Sequence, residues 1–187
     1  HELSQGSGLF TSVEIGDDLE IEGLYSLGND YFLAAGKKGV FNLNLSEGNE
    51  LGWLTKALSD ANISDVVDSI TINRDNTIIA TENSIIHVSF SARSIKEKQL
   101  NFVNEKATSI ALKDSTEVYV STSESRLQKI RINDHKVIST LDLTKYQVGK
   151  ISEIEYFNRQ LWIATNNGLF LASPELEIES HLNESTS

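Results

Sequence analysis

The sequence predicts an all-β chain made of β-propeller blades, about four of them at roughly 43 residues each. Three observations carry this. Short runs with alternating apolar residues recur along the chain, as half-buried strands require. The runs break at Gly, Asn and Asp, which accept tight-turn dihedrals. One motif also returns: FLAAGKKGVFNL (32–43), TIIATENSIIHV (77–88), VYVSTSESRLQKI (118–130, one extra turn residue) and LWIATNNGLFLAS (161–173). Its anchors are Ala35-Gly36, Ala80-Thr81, Ser121-Thr122 and Ala164-Thr165, whose second members sit 45, 41 and 43 residues apart.

Each blade reads as follows. The first strand lies in IEGLYSLGNDYF, VDSITINRDNTI, ATSIALKDSTEV and ISEIEYFNRQLW, ending at Gly28-Asn29-Asp30, Asn73-Arg74-Asp75-Asn76, Lys113-Asp114-Ser115 and Asn158-Arg159-Gln160. Residues 31–36, 77–81, 117–122 and 161–165 should be equivalent middle strands. GVFNLNL, SIIHVSF, RLQKIRI and GLFLAS supply the third strand, and KVISTLDL (136–143) the clearest fourth. Approximate blades are therefore 20–60, 65–105, 107–145 and 149–182 of a single propeller domain or propeller fragment. Only LGWLTKALSDA (51–61) has helix-like spacing, at Leu51, Leu54 and Leu58; a fourth strand with a long loop is the alternative.

A lone twisted sheet cannot bury both faces, whereas stacked blades cover one another. Small anchor residues let neighbouring sheets approach closely. Trp162 is expected to pack between blades. Residues 8–15, GLFTSVEI, resemble an extra outer strand, and LEIE recurs at 19–22 and 176–179. Four blades could close as a small ring or form part of a larger propeller, and a homodimer is one way to complete it.

Composition sets further bounds. The 187 residues include 16 basic and 27 acidic side chains, a net charge of −11, which would repel nucleic acid. Without cysteine there is no disulfide and no thiolate chemistry. No apolar run approaches the roughly 18 residues of a membrane span. Residue 1 is His and Met is absent, so a processed form or an excised fragment is expected.

The copy at 57–90, and above all Leu161-Trp162-Ile163-Ala164-Thr165-Asn166-Asn167-Gly168-Leu169, resembles the two-component regulator propeller repeat. Ala164 stands where that family usually has Gly, the first copy keeps Gly39 but has Phe32 in place of Trp, and the third lacks both Trp and Gly. The resemblance covers roughly residues 20–180. It implies a non-catalytic, periplasmic or extracellular sensor region of a bacterial membrane signalling protein. Contact with the membrane would then come only through parts of the parent chain not present here.

No catalytic set stands out. His1, His87, His135 and His181 lack metal-ligand spacing, and neither a metal site nor a cofactor is expected. Asp17-Asp18 and Glu153 with Glu155 read as solvated carboxylates rather than acid–base pairs. A ligand site would lie on one propeller face, where loops converge. The turns after the middle strands place Lys37, Lys38, Glu82, Asn83, Ser123, Glu124, Asn166 and Asn167 there. Lead-in loops add Asp60, Asn62, Asp65, Tyr146 and Lys150. The expected partner is a small molecule or glycan. A protein partner on a scaffold propeller is the alternative, with an exposed apolar patch as its mark, and a carbohydrate-active enzyme with a deep ionisable pocket is the third reading.

Overall fold

The computed structural model describes residues 21–28, 31–36, 39–44, 52–63, 65–100 and 105–182. Their fold is four antiparallel sheets, each following the chain without a crossover. Blade 1 holds β1 (Ile21–Gly28), β2 (Tyr31–Gly36) and β3 (Gly39–Asn44). Blade 2 holds β4 (Val66–Asn73), β5 (Asn76–Thr81), β6 (Ser84–Ser89) and β7 (Ser94–Gln99). Blade 3 holds β8 (Ala107–Leu112), β9 (Glu117–Thr122), β10 (Arg126–Arg131) and β11 (Lys136–Asp142). Blade 4 holds β12 (Ile151–Phe157), β13 (Gln160–Thr165), β14 (Gly168–Ala172) and β15 (Ile178–Leu182). The four expected middle strands are the second strands of the four sheets.

The core lies between the sheets. Ile79 of β5 joins Leu27, Leu33 and Val66 in the cluster between blades 1 and 2. Its neighbours Ile78 and Ala80 turn the other way and meet Ile110, Val118 and Val120 of blade 3. In β9, Tyr119 turns toward blade 4, where it meets Ile154, Leu161, Ile163 and Phe170. The middle strands of blades 2 and 3 are thus buried on both faces, which is why IIA and VYV read as continuous apolar runs. Each such side chain contributes about 1.5–3 kcal/mol when fully buried. The outer strands differ: β7 reads SIKEKQ and is exposed at all but one position.

The one α-helix among the described residues, α1 (Gly52–Asp60), follows blade 1 where a fourth strand was the alternative. Leu54 and Leu58 point into the core of blades 1 and 2. The helix stops because Asn62 takes a left-handed φ of 55°. The N–H groups of Asn62 and Ile63 then donate to the carbonyls of Ser59 and Leu58, at 2.9 Å each. A short 3-10 helix, Thr144–Tyr146, leads into blade 4.

The first strands β1, β4, β8 and β12 pack against one another in series, and no comparable packing returns from β12 to β1 among the described residues. The sheets form an arc rather than a closed ring of four blades. The segment 8–15, the first LEIE and Asp17-Asp18 lie outside the described residues.

Candidate propeller surfaces and axial cleft

The anchor threonines build the turns on the face singled out from sequence. Thr81 Oγ1 accepts the Ser84 N–H at 2.9 Å, Thr122 Oγ1 accepts that of Arg126 at 3.2 Å, and Thr165 Oγ1 donates to the Gly168 carbonyl at 2.8 Å. The turns are then tied to the lead-in segments through their backbones. The Glu82 N–H donates to the Asp65 carbonyl at 3.2 Å, and the Glu82 carbonyl accepts the Ala107 N–H of the next blade at 2.8 Å. The Asn83 carbonyl accepts the Leu100 N–H at 2.7 Å. Ser123 N–H donates to Lys106 and Asn166 N–H to Lys150, at 2.8 and 3.1 Å. The Asn167 amide donates to the Gln147 carbonyl.

This gathers Glu82, Asn83, Asp65, Ser123, Asn166, Asn167 and Lys150 on one end of the arc, with Glu124 exposed beside them. The Lys106 ammonium meets the Glu82 carboxylate at 2.5 Å, linking blades 2 and 3 there. The extra turn residue of blade 3, Ser125, has φ 60° and its hydroxyl donates to the Gly149 carbonyl. Gly149 itself has φ 68°, and a Cβ would sit 3.2 Å from that of Asn166. Tyr146 is 42% exposed, its ring 5.9 Å from that of Phe170. Asp60 ends α1 and pairs with Lys56 at 2.6 Å; no hydrogen bond or ion pair among the described residues carries it to the turns. Asn62 serves to end the helix. Lys37 and Lys38 lie outside the described residues.

A second candidate lies on the axis. The strands β4, β8 and β12 line a cleft of about 320 Å³ that includes Asp68, Ser109, Glu153, Glu155 and Tyr156. Its construction repeats from blade to blade. Every first strand has a bulge just after its first pair, between Ile21 and Gly23, Val66 and Asp68, Ala107 and Ser109, and Ile151 and Glu153. A bulge re-aims the side chain that follows it. In blade 2 the Asp68 carboxylate thereby accepts the Ser109 hydroxyl at 3.1 Å and the Ile110 N–H at 2.9 Å, both from blade 3. In blade 3 the Ser109 hydroxyl oxygen receives the Ile154 N–H of blade 4 at 3.4 Å. Glu153 occupies the same slot in blade 4, exposed and with no hydrogen bond or ion pair among the described residues. Sequence reasoning missed Asp68 and Ser109. The aligned first strands carried the signal, since Gly23, Asp68, Ser109 and Glu153 share one register position opposite the small anchors.

Other ionisable groups hold blades together. Lys129, only 6% exposed, meets Glu117 at 3.3 Å and donates to the Pro174 carbonyl at 3.0 Å. The Tyr119 hydroxyl donates to the same carbonyl at 2.9 Å, and burial pushes its pKa up. The hydrogen bond from Lys113 holds Glu117 below the usual carboxylate range. Burial lowers His87, which also meets Asn76 Oδ1 at 3.0 Å; His181 stacks on Phe170 with ring centres 3.9 Å apart. No group of three metal-ligating side chains occurs among the described residues.

Trp162, expected between blades, has a described blade on neither side of its ring. Leu161 and Ile163 take the side facing blade 3, so the alternation of β13 sends Trp162 to the opposite side, which no described blade covers. Its indole N–H is shielded from water and has no hydrogen-bond partner.

No protein-family model matches the chain, and no curated protein matches it in sequence. Solved structures do. The Neurospora crassa Pan2 WD40 domain superposes with a TM-score of 0.65 at 13% identity, over 88% of this chain and 50% of that one. The β-propeller domain of Myceliophteria thermophila Cps50 (Swd1) gives 0.61 at 15%, over 87% and 58%. U3-55K gives 0.66 at 9%, over 87% and 54%. The chain therefore spans about half the length of propellers whose course it follows. At such low identity the likeness establishes the fold alone: these four sheets are β-propeller blades.

Proposed function

We propose that the chain is a non-catalytic propeller segment of a protein-binding scaffold, with the outward face of blade 4 as a contact surface for a further sheet or a partner protein. One observation carries this. Cross-strand rows place Trp162 beside Leu171 and Ala164 beside Leu169, which in turn faces Leu182. Leu182 is 52% exposed, and Phe157 at the end of β12 is 65% exposed. The same rows carry Glu155 opposite Trp162, Glu153 opposite Ala164 and Ser180 opposite Leu171, so the face is mixed, with exposed apolar points of the kind that interaction surfaces present. The likeness to WD40 propellers supports a scaffold in the same sense. An enzyme would need convergent, perturbed ionisable groups in its cleft. In the axial cleft Asp68 is instead engaged in joining blades 2 and 3.

A photo-crosslinking residue at position 182, compared with one at Ile138 on β11, tests the proposal. A discrete adduct formed from position 182 alone, and lost in Trp162→Arg, is the expected result. No adduct, or the same adducts from both positions, would overturn it.

The axial cleft favours a second reading, an extracytoplasmic sensor for a small ligand. Glu153 and Glu155 line that cleft without ion-pair partners among the described residues, which suits a small cation in a chain of net charge −11. Sequencing the parent coding region decides it: a membrane span followed by an output domain supports the sensor, and a frame lacking both rejects it.

A further inference from the structure

The outer edges of blades 2 and 3 enclose a groove of about 240 Å³ between β7 and β10–β11. Its lining is mixed: Leu100 and Ile130 are buried and Val137 is 43% exposed, beside the side chains of Gln99 and Gln128. Lys98 and Lys136 flank it, and neither makes an ion pair among the described residues. His135 also lines it, only 8% exposed, with an Nε2 that is shielded and lacks any hydrogen-bond partner. A buried polar atom left unpaired costs about 1–3 kcal/mol. The turn that presents it is well fixed. Arg131 meets Asp134 at 3.1 Å, the other Asp134 oxygen accepts the Lys136 N–H at 3.2 Å, and His135 takes φ 53°. In a chain where acids outnumber bases 27 to 16, unpaired cations around one groove are a local reversal of the field.

We propose that this groove binds a carboxylate side chain from an acidic peptide segment of a partner protein. The aliphatic stem of a glutamate suits the apolar side chains of Leu100, Ile130 and Val137. Its carboxylate would lie between the Lys98 and Lys136 ammonium groups and accept a hydrogen bond from His135. The site rests on the reading of the chain as a protein-binding propeller and names the chemistry of the partner.

The groups facing His135 are His87 of β6, Lys96 and Lys98 of β7, and Asp134 and Lys136 of its own turn. Burial first, then His87, Lys96 and Lys98, lower its pKa, while Asp134 opposes them. The free imidazole is therefore neutral at neutral pH, and a bound carboxylate would raise its pKa. Binding should strengthen as pH falls through the histidine range, down to where glutamate itself protonates.

The test is an NMR titration of the whole chain with hexaglutamate, and separately with inorganic phosphate. Saturable shifts of the His135 ring signals by hexaglutamate are expected, weakened about tenfold in the Lys98→Gln/Lys136→Gln double variant. Both lysines are exposed, so that variant should keep the wild-type Tm. Unmoved His135 signals, or undiminished binding by the double variant, would overturn the proposal. Equal binding of phosphate would also overturn it, by showing a site for free anions instead. The crosslink from position 182 reads blade 4 and is independent, so the two proposals fail separately.

Discussion

The boundary between blades 2 and 3 and the outward face of blade 4 are built from the same repeat but end in different states. At the boundary, Ile78, Ala80, Ile85, Val118 and Val120 are almost fully buried, and Asp68 bridges to the backbone of blade 3. On the outward face the equivalent carboxylate, Glu153, has no partner among the described residues, and Trp162, Leu171 and Leu182 remain partly open. The difference teaches that each repeat encodes half of two interfaces. A neighbouring sheet, not the strand's own sequence, converts a half into core.

Truncating one large side chain on each face separates the two states. Phe170→Ala, on the inward face of blade 4, should cost about 3–5 kcal/mol in urea unfolding. Trp162→Ala, on the outward face, should cost about 1 kcal/mol. Equal losses would mean that the outward face is covered after all. The bridging position gives the next contrast. Asp68→Ala strands the Ile110 N–H and the Ser109 hydroxyl and should cost about 1.5–3 kcal/mol, whereas Glu153→Ala should change stability by less than about 0.5 kcal/mol. A large effect of Glu153→Ala would place an unseen donor beside it.

An ion-pair cluster within blade 3 adds a dependence on pH. Glu117 is held below its usual value by Lys113 and Lys129, so its folded pKa is depressed. Its stabilisation is fully present above the ordinary glutamate value of 4.5 and is lost as pH falls through the lower folded value. Wild type and Glu117→Gln should therefore differ in Tm at neutral pH and converge in acid. A constant difference across that range would show that the charge of Glu117 does not stabilise the blade. The smallest expected effect is that of Leu182→Ser, within about 0.5 kcal/mol, read by thermal melting.

How legible each part was follows from burial. The middle strands of blades 2 and 3 are buried along nearly their whole length, so TIIAT and VYVST could hold only apolar residues and small hydroxyls, and their repetition revealed the blades. The outer strands SIKEKQ and IESHL meet water, place little constraint on residue type, and left a weak trace. α1 was detectable because Leu54 and Leu58 must share a face. Of the surfaces, the turn face followed from topology. The groove at His135 did not, because Lys98 and His135 lie 37 positions apart in sequence and meet only when blades 2 and 3 stack.

By itself the sequence determined the blade period, the order of the strands and the turns, because alternation and tight-turn chemistry are local. Which way Trp162 faces, and that Asp68 bridges two blades, emerge only once the sheets are stacked. Those outcomes depend on which sheet lies beside which, and on a one-residue bulge that redirects a side chain without altering the apolar pattern around it.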